Sequence, residues 1–430
     1  MSTAVFANSD RHVVLRRILG AGAISIYFSA ALPAAAADAP TGGMPGTRAF
    51  ILSNIYVGNA GETGACGKLT DSAPETFLKS LPSSEQQNYA APDKHNQLFA
   101  LMQKQLGFKW IQLAQRNQNK NQLSPYWDKL VIDVAPEHAR IEDVREQAGI
   151  PEGKGAIVFN HHIVAYDSCT DPQDFPMLNT GFHPYDGKLA FGIDLDGKRG
   201  RDQFNSPSGE PGVDNQLWRV LGCMKHFREF GNPENADGTL FSAAAPTLIE
   251  ISRIDDTNND SDVSVAVFSS IDPLIADGRG VALANASYTI DTRPELIAHT
   301  RGRIVNGVLS TDPVDLTMHY KEQIIDGIRQ LRGVRIRATL NADGSIKGGF
   351  YGYYMLDSFY DSIKQMTQLG ANLSNLSCPV IHSALQRYAD GYPDATSGRN
   401  TAISSALNFI GVAAFAIQPS AIAEGSRYAH

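Results

Sequence analysis

From Thr247 to Met355, apolar and polar residues alternate in short runs: LIEISRI, VSVAVFSSI, ASYTI, VDLTMHY, VRIRATL and GGFYGYYM. A period of two sends successive side chains to opposite faces of a strand. Val334, Ile336 and Ala338 therefore share one face and Arg335, Arg337 and Thr339 the other, which predicts one buried and one wet surface. Asn341-Ala342-Asp343-Gly344 supplies a turn into the returning strand Ser345 to Tyr354, and Asn306-Gly307 joins RGRIV to VLSTD. Asn-Gly is a favoured hairpin turn. Linked hairpins of this kind predict a mainly β chain with flanking helices. Its centre is expected to be an antiparallel β-sandwich or a curved, partly closed sheet. The sequence has neither βαβ alternation nor a glycine-rich dinucleotide fingerprint.

The flanks read differently. Ala49 to Val57 has strand character, and Ser72 with Glu75 forms a capping box around Pro74. Pro92-Asp93 opens a helical pattern through Leu98, Met102 and Leu106. Trp127 to Val134 suggests a short strand, Pro136 to Ala148 a polar helix, and Phe159 to Val164, entered from Gly153 to Val158, further β structure. Beyond Met355, Phe359, Ile363 and Met366 repeat at helical spacing, and Ser377 to Tyr388 forms another helical segment. Ala402 to Ile417 is a continuous apolar, small-residue run, expected as a buried helix. The implied organisation is a leader over 1–37, a mostly helical region over 38–150, a β-rich domain over 151–355 and a helical region over 356–430 packed on it.

Arg11, Arg16 and Arg17 precede the apolar stretch Ile18 to Leu32, and Pro33 with Ala34 to Ala37 offers a small-residue cleavage site. This is the layout of a bacterial signal peptide. Arg16-Arg17 also resembles a twin-arginine export signal. The apolar stretch is too short for a stable membrane span, so the expected location is periplasmic or secreted.

Charge narrows the partners. The chain carries a net −8, and loss of the leader removes three arginines and one aspartate to leave −10. That balance argues against nucleic acid and leaves an envelope or extracellular partner. Cys66, Cys169, Cys223 and Cys378 are even in number and far apart, which in an exported chain predicts two disulfides with three possible pairings.

The densest chemistry lies in Gly192 to Trp218, GIDLDGKRGRDQFNSPSGEPGVDNQLW. Calcium takes hard oxygen donors brought together by tight turns. Asp194, Asp196, Asp202, Asp214 and Asn215 are the candidate ligands, because Gly197 and Gly200 permit reversals between them. The rival explanation is a solvated loop whose aspartates cap turns. Asp255, Asp256, Asp260 and Asp262 form a second candidate calcium cluster.

His161 and His162, with Asp167, are the candidate catalytic residues, since imidazole titrates near neutrality. Adjacent strand residues point to opposite faces, so the two histidines cannot share a metal without a bend. Serine-nucleophile, zinc-hydrolase and phosphate-loop motifs are missing. The sequence therefore points first to an exported, calcium-stabilised, non-enzymatic binding or structural protein of the cell envelope. The alternative is an exported hydrolase or metal- or cofactor-dependent oxidoreductase with a histidine- or carboxylate-lined pocket.

Overall fold

The alternation at Val334 to Thr339 sorts as its period demands: Val334, Ile336 and Ala338 are buried, while Arg335, Arg337 and Thr339 keep solvent exposure. The computed structural model describes residues 46–60, 73–91, 156–159, 162–165, 169–174, 182–200, 202–224, 245–277, 281–321, 326–370 and 378–419, with a few shorter stretches between them. The leader lies outside the described residues.

The first strands are β1 (Arg48–Val57), β2 (Ile132–Asp133), β3 (Ala156–Phe159), β4 (His162–Ala165), β5 (Phe204–Asn205) and β6 (Pro211–Val213). Then come β7 (Thr247–Ser252), β8 (Asn259–Ser269), β9 (Ala286–Thr289), β10 (Ala298–Val305), β11 (Val308–Thr311) and β12 (Val314–Lys321). The last are β13 (Asp326–Leu340), β14 (Ser345–Met355), β15 (Gly391–Pro393) and β16 (Asn400–Ile417). The helices are α1 (Ala73–Ser80), α2 (Ser83–Tyr89), α3 (Gln216–Leu221), α4 (Leu356–Gly370) and α5 (Cys378–Tyr388).

Eleven strands make one sheet along the path β1-β7-β8-β10-β11-β13-β14-β16-β15, with β12 and β9 branching off it. β16 pairs again with β1, so the path bends back on its first strand. At β11 the sheet is narrow, with Val308, Leu309 and Ser310 in register with Thr339, Ala338 and Arg337 of β13. The sheet is thus curved and partly closed rather than a sandwich, and mixed because β9 runs parallel to β16. The Asn-Gly hairpin forms as expected, with Asn306 and Gly307 both at positive φ.

The concave core unites Phe50, Ile249, Val265, Ile336, Phe350, Leu407 and Phe409 with Phe359, Ile363 and Ile381 of α4 and α5. Each such side chain contributes roughly 1.5–3 kcal/mol on burial. The outer face is covered in two places. Ile51, Leu248, Phe268 and Ala414 lie under Tyr288 and Ile290 of the β9 segment. Elsewhere the 185–218 segment is seated by Tyr185, Phe204, Val213 and Trp218. Cys66–Cys223 and Cys169–Cys378 are the disulfides, bridging 157 and 209 residues. Among the described residues no helix is long and apolar enough to cross a membrane.

One expectation is overturned. Ala402 to Ile417 is not a helix but most of β16, which pairs with β1, β14, β15 and β9. Ile403, Leu407 and Phe409 face the helices while Ala402, Ser404 and Ala406 are also buried. A strand covered on both sides loses its polar alternation. Only α4 and α5 of the 356–430 region are helical among its described residues, and the region ends as sheet. The 38–150 region likewise contributes β1 to that sheet beside α1 and α2. The helical pattern at 92–110 falls largely outside the described residues.

Candidate functional site

The acidic loop owes its shape to glycine and to one buried carboxylate. Gly212 sits at φ +82°, where a Cβ would stand 3.3 Å from Asp194 Oδ2. Asp214, only 5% exposed, follows β6 and pins the chain that crosses it. Its Oδ2 accepts the N–H groups of Leu195 and Asp196 at 2.7 and 3.3 Å, and its Oδ1 accepts Gln203 Nε2 at 2.9 Å. Asp194 Oδ1 accepts Gly197 N–H at 2.7 Å, and Asp196 takes Lys198 through both backbone and ammonium.

The consequence is convergence. One carboxylate oxygen from each of Asp194, Asp196 and Asp214 lies within 4.8 Å of the others. Hard oxygens gathered at this spacing can hold a metal ion. The remaining expected ligands are elsewhere. Asp202 is exposed and serves through its carbonyl, which accepts Gln216 Nε2. Asn215 caps α3, accepting Trp218 N–H and donating to Phe191 O.

Electrostatically the members diverge. Burial and the charge of Asp196 raise the Asp214 pKa, whereas the Lys198 N–H and ammonium lower that of Asp196. Among the described residues no lysine or arginine is hydrogen-bonded to the Asp194 or Asp214 carboxylate. Arg335 donates from Nη1 to the carbonyls of Asp194 and Leu195 at 3.4 and 3.1 Å.

A fourth carboxylate, from far along the chain, feels the charge of Asp214 without being among the converging oxygens. Asp390 remains exposed as a residue, but its carboxylate turns in to accept Ser404 N–H and Oγ–H, each at 2.6 Å. Ser404 Oγ in turn accepts Gln216 N–H at 2.9 Å, which ties Asp390 to the start of α3. Enclosure of the carboxylate and the charge of Asp214 raise the Asp390 pKa. Tyr353, on the strand beside Ser404, is pushed up to about 12 by burial and then by Asp390, Asp214 and Asp196. Its ring meets Tyr392 edge-on at 5.5 Å. Tyr392 holds φ +54°, a rare conformation for a bulky residue. Asp390, Tyr353 and Tyr392 carried no spacing signal, because β15 and β16 bring them to the loop only through the sheet.

The other candidates do not join this centre. Asp260 accepts the N–H groups of Asp255 and Asp262, and Asp256 that of Asn258. Asp262 pairs with Arg253 and Arg301. These carboxylates cap turns and bind arginine, and they are not among the groups that converge. His162 lies in β4 opposite Phe159 and Asp133, in a separate three-stranded sheet. His161 and Asp167 fall outside the described residues. Sequence reading also passed over His299, which faces Glu250 across Ala266, in a cavity they share. Burial raises the Glu250 pKa and His299 lowers it.

Searches for related proteins returned no matching family model, no matching curated protein and no matching solved structure.

Proposed function

We propose that this protein is an exported hydrolase working from a carboxylate-lined, cation-dependent centre on the outer face of its sheet. The observation that carries the proposal is the convergence of Asp194, Asp196 and Asp214 within 4.8 Å, with Asp214 buried and lacking a cationic side chain. Export rests on the arginine-led apolar leader and its alanine-rich end. Calcium is the proposed ion, because an all-oxygen set on an irregular loop matches its chemistry better than that of a softer metal.

A bound cation supplies Lewis acidity toward a substrate oxygen or an attacking water. The surrounding side chains divide the proton chemistry. Lys198 lowers the Asp196 pKa, which favours the base role, while burial and the charge of Asp214 raise that of Asp390, which favours the acid role. Carboxyls pushed apart in pKa are the usual basis of acid–base work near neutrality. Elemental analysis of protein purified from its native compartment, followed by a hydrolase screen before and after chelation, tests this. Stoichiometric calcium with chelator-sensitive turnover is expected; an ion-free, fully active protein overturns it.

A second reading has its own support. Asp214 is committed to the Leu195 and Asp196 N–H groups, so an ion there also fastens the loop. The protein would then be a calcium-stabilised, non-enzymatic binding or structural protein of the envelope. Chelation that lowers the unfolding midpoint with no hydrolysis in any screen favours this account.

A further inference from the structure

Among the described residues, the sheet is open between the two segments that cover its outer face. A groove of ≈ 980 Å³ crosses it, lined by Arg301, Arg303, Arg335 and Arg337. A second hollow of ≈ 370 Å³ adjoins it, sharing Ile193, Val308 and Arg337 and adding Lys347. Strand register fixes the pattern. Arg303 pairs with Ser310 and Ser310 with Arg337, so one cross-strand row reads arginine, serine, arginine. The next row runs Val305, Val308, Thr339, Lys347. Basic groups therefore stand roughly 7 Å apart along a strand and roughly 10 Å apart across β11.

This concentration runs against the charge of the whole chain, −8. Five cations face three acids, Glu210, Asp262 and Asp312. Glu210 holds Arg337 and Asp262 holds Arg301, both through exposed pairs that exchange easily. Arg335 gives its Nη1 to two carbonyls and no carboxylate. Arg303 and Lys347 are exposed and make no ion pair among the described residues.

We infer that this groove binds an acidic oligosaccharide. Guanidinium groups recognise carboxylate or sulfate bidentately. Ser208, Ser310 and Thr339 line the same two hollows and match sugar hydroxyls. A nucleic acid fits less well, because its dense charge would extend onto the acidic remainder of the surface. The aromatic rings in the lining, Phe191 and Tyr351, are half-buried rather than open stacking platforms. This goes beyond the function proposed above and holds whether or not the acidic loop is catalytic.

Titration calorimetry of the full chain tests it with four probes: a short oligogalacturonate, its fully methyl-esterified neutral counterpart, a heparin-derived oligosaccharide and a single-stranded oligonucleotide. Binding of at least one acidic glycan is expected, weakening as salt rises, with no binding of the neutral one. The double variant Arg303→Gln with Lys347→Gln, at two exposed positions, should lose at least about tenfold in affinity while keeping its unfolding midpoint. No glycan binding, an unchanged variant, or tighter binding of the oligonucleotide overturns the inference.

Discussion

The carboxylate of Asp214 accepts the backbone N–H of Leu195 at 2.7 Å, nineteen residues earlier in the chain. That bond and its neighbour to Asp196 set the distance between the three converging aspartates. Asp214→Asn keeps the shape but turns an acceptor into a partial donor facing N–H groups. Unmet buried hydrogen bonds cost about 1–3 kcal/mol. The variant should unfold earlier in urea and lose calcium affinity by at least about tenfold; equal affinity by calorimetry would remove Asp214 from the ion site.

The same residue predicts a pH dependence. Its folded pKa is raised by burial and by Asp196, so the folded protein binds that proton more tightly than the unfolded chain does. Its contribution is therefore a penalty, complete above the folded pKa and relieved as pH falls through it. Asp390 acts in the same sense. Protons and cation compete, so calcium affinity should fall as pH falls through the raised folded pKa of Asp214. Calorimetric titrations across that range check the sign, and a pH-independent affinity contradicts it.

The bridge between Cys169 and Cys378 closes 209 residues and anchors the 169–174 segment to α5. Cross-links of long loops remove much chain entropy from the unfolded state. Cys169→Ser with Cys378→Ser should cost about 2–5 kcal/mol, read as a shift in the denaturant midpoint under oxidising conditions.

Phe409 lies fully buried in β16, its ring 4.8 Å from that of Phe350. Phe409→Ala should cost about 3–5 kcal/mol. Ser405, which donates to Gly352 O, offers a milder comparison within the same strand. A large loss at Phe409 in urea unfolding confirms that the strand holds the core.

Where one face stayed wet, the sequence was readable. Arg335, Arg337 and Thr339 preserved the period of two, and the β13–β14 and β10–β11 hairpins followed with their turns. β16 hid itself because covering both faces erased its period. The acidic loop was visible as composition, but its membership was not. Asp202 is nearer to Asp214 in sequence than Asp196 is, yet it is not among the converging groups, while Asp214 arrives after β5 and β6 have turned the chain back. Asp390 read only as part of a turn that Gly391 and Pro393 already explain, since only the β14–β16 ladder sets Ser404 beside Tyr353.

The doubling back of the sheet has a bearing on how this chain is made. Ala49 registers with Ala414, so β1 finds one of its two neighbours only after some 365 further residues have been made. Pairings of such separation form slowly, and until then β1 and β14 each present a vacant edge to other chains. A ribosome halted short of residue 400 would release a product unable to join β1 to β14, and a chaperone until β16 emerges is the foreseeable need.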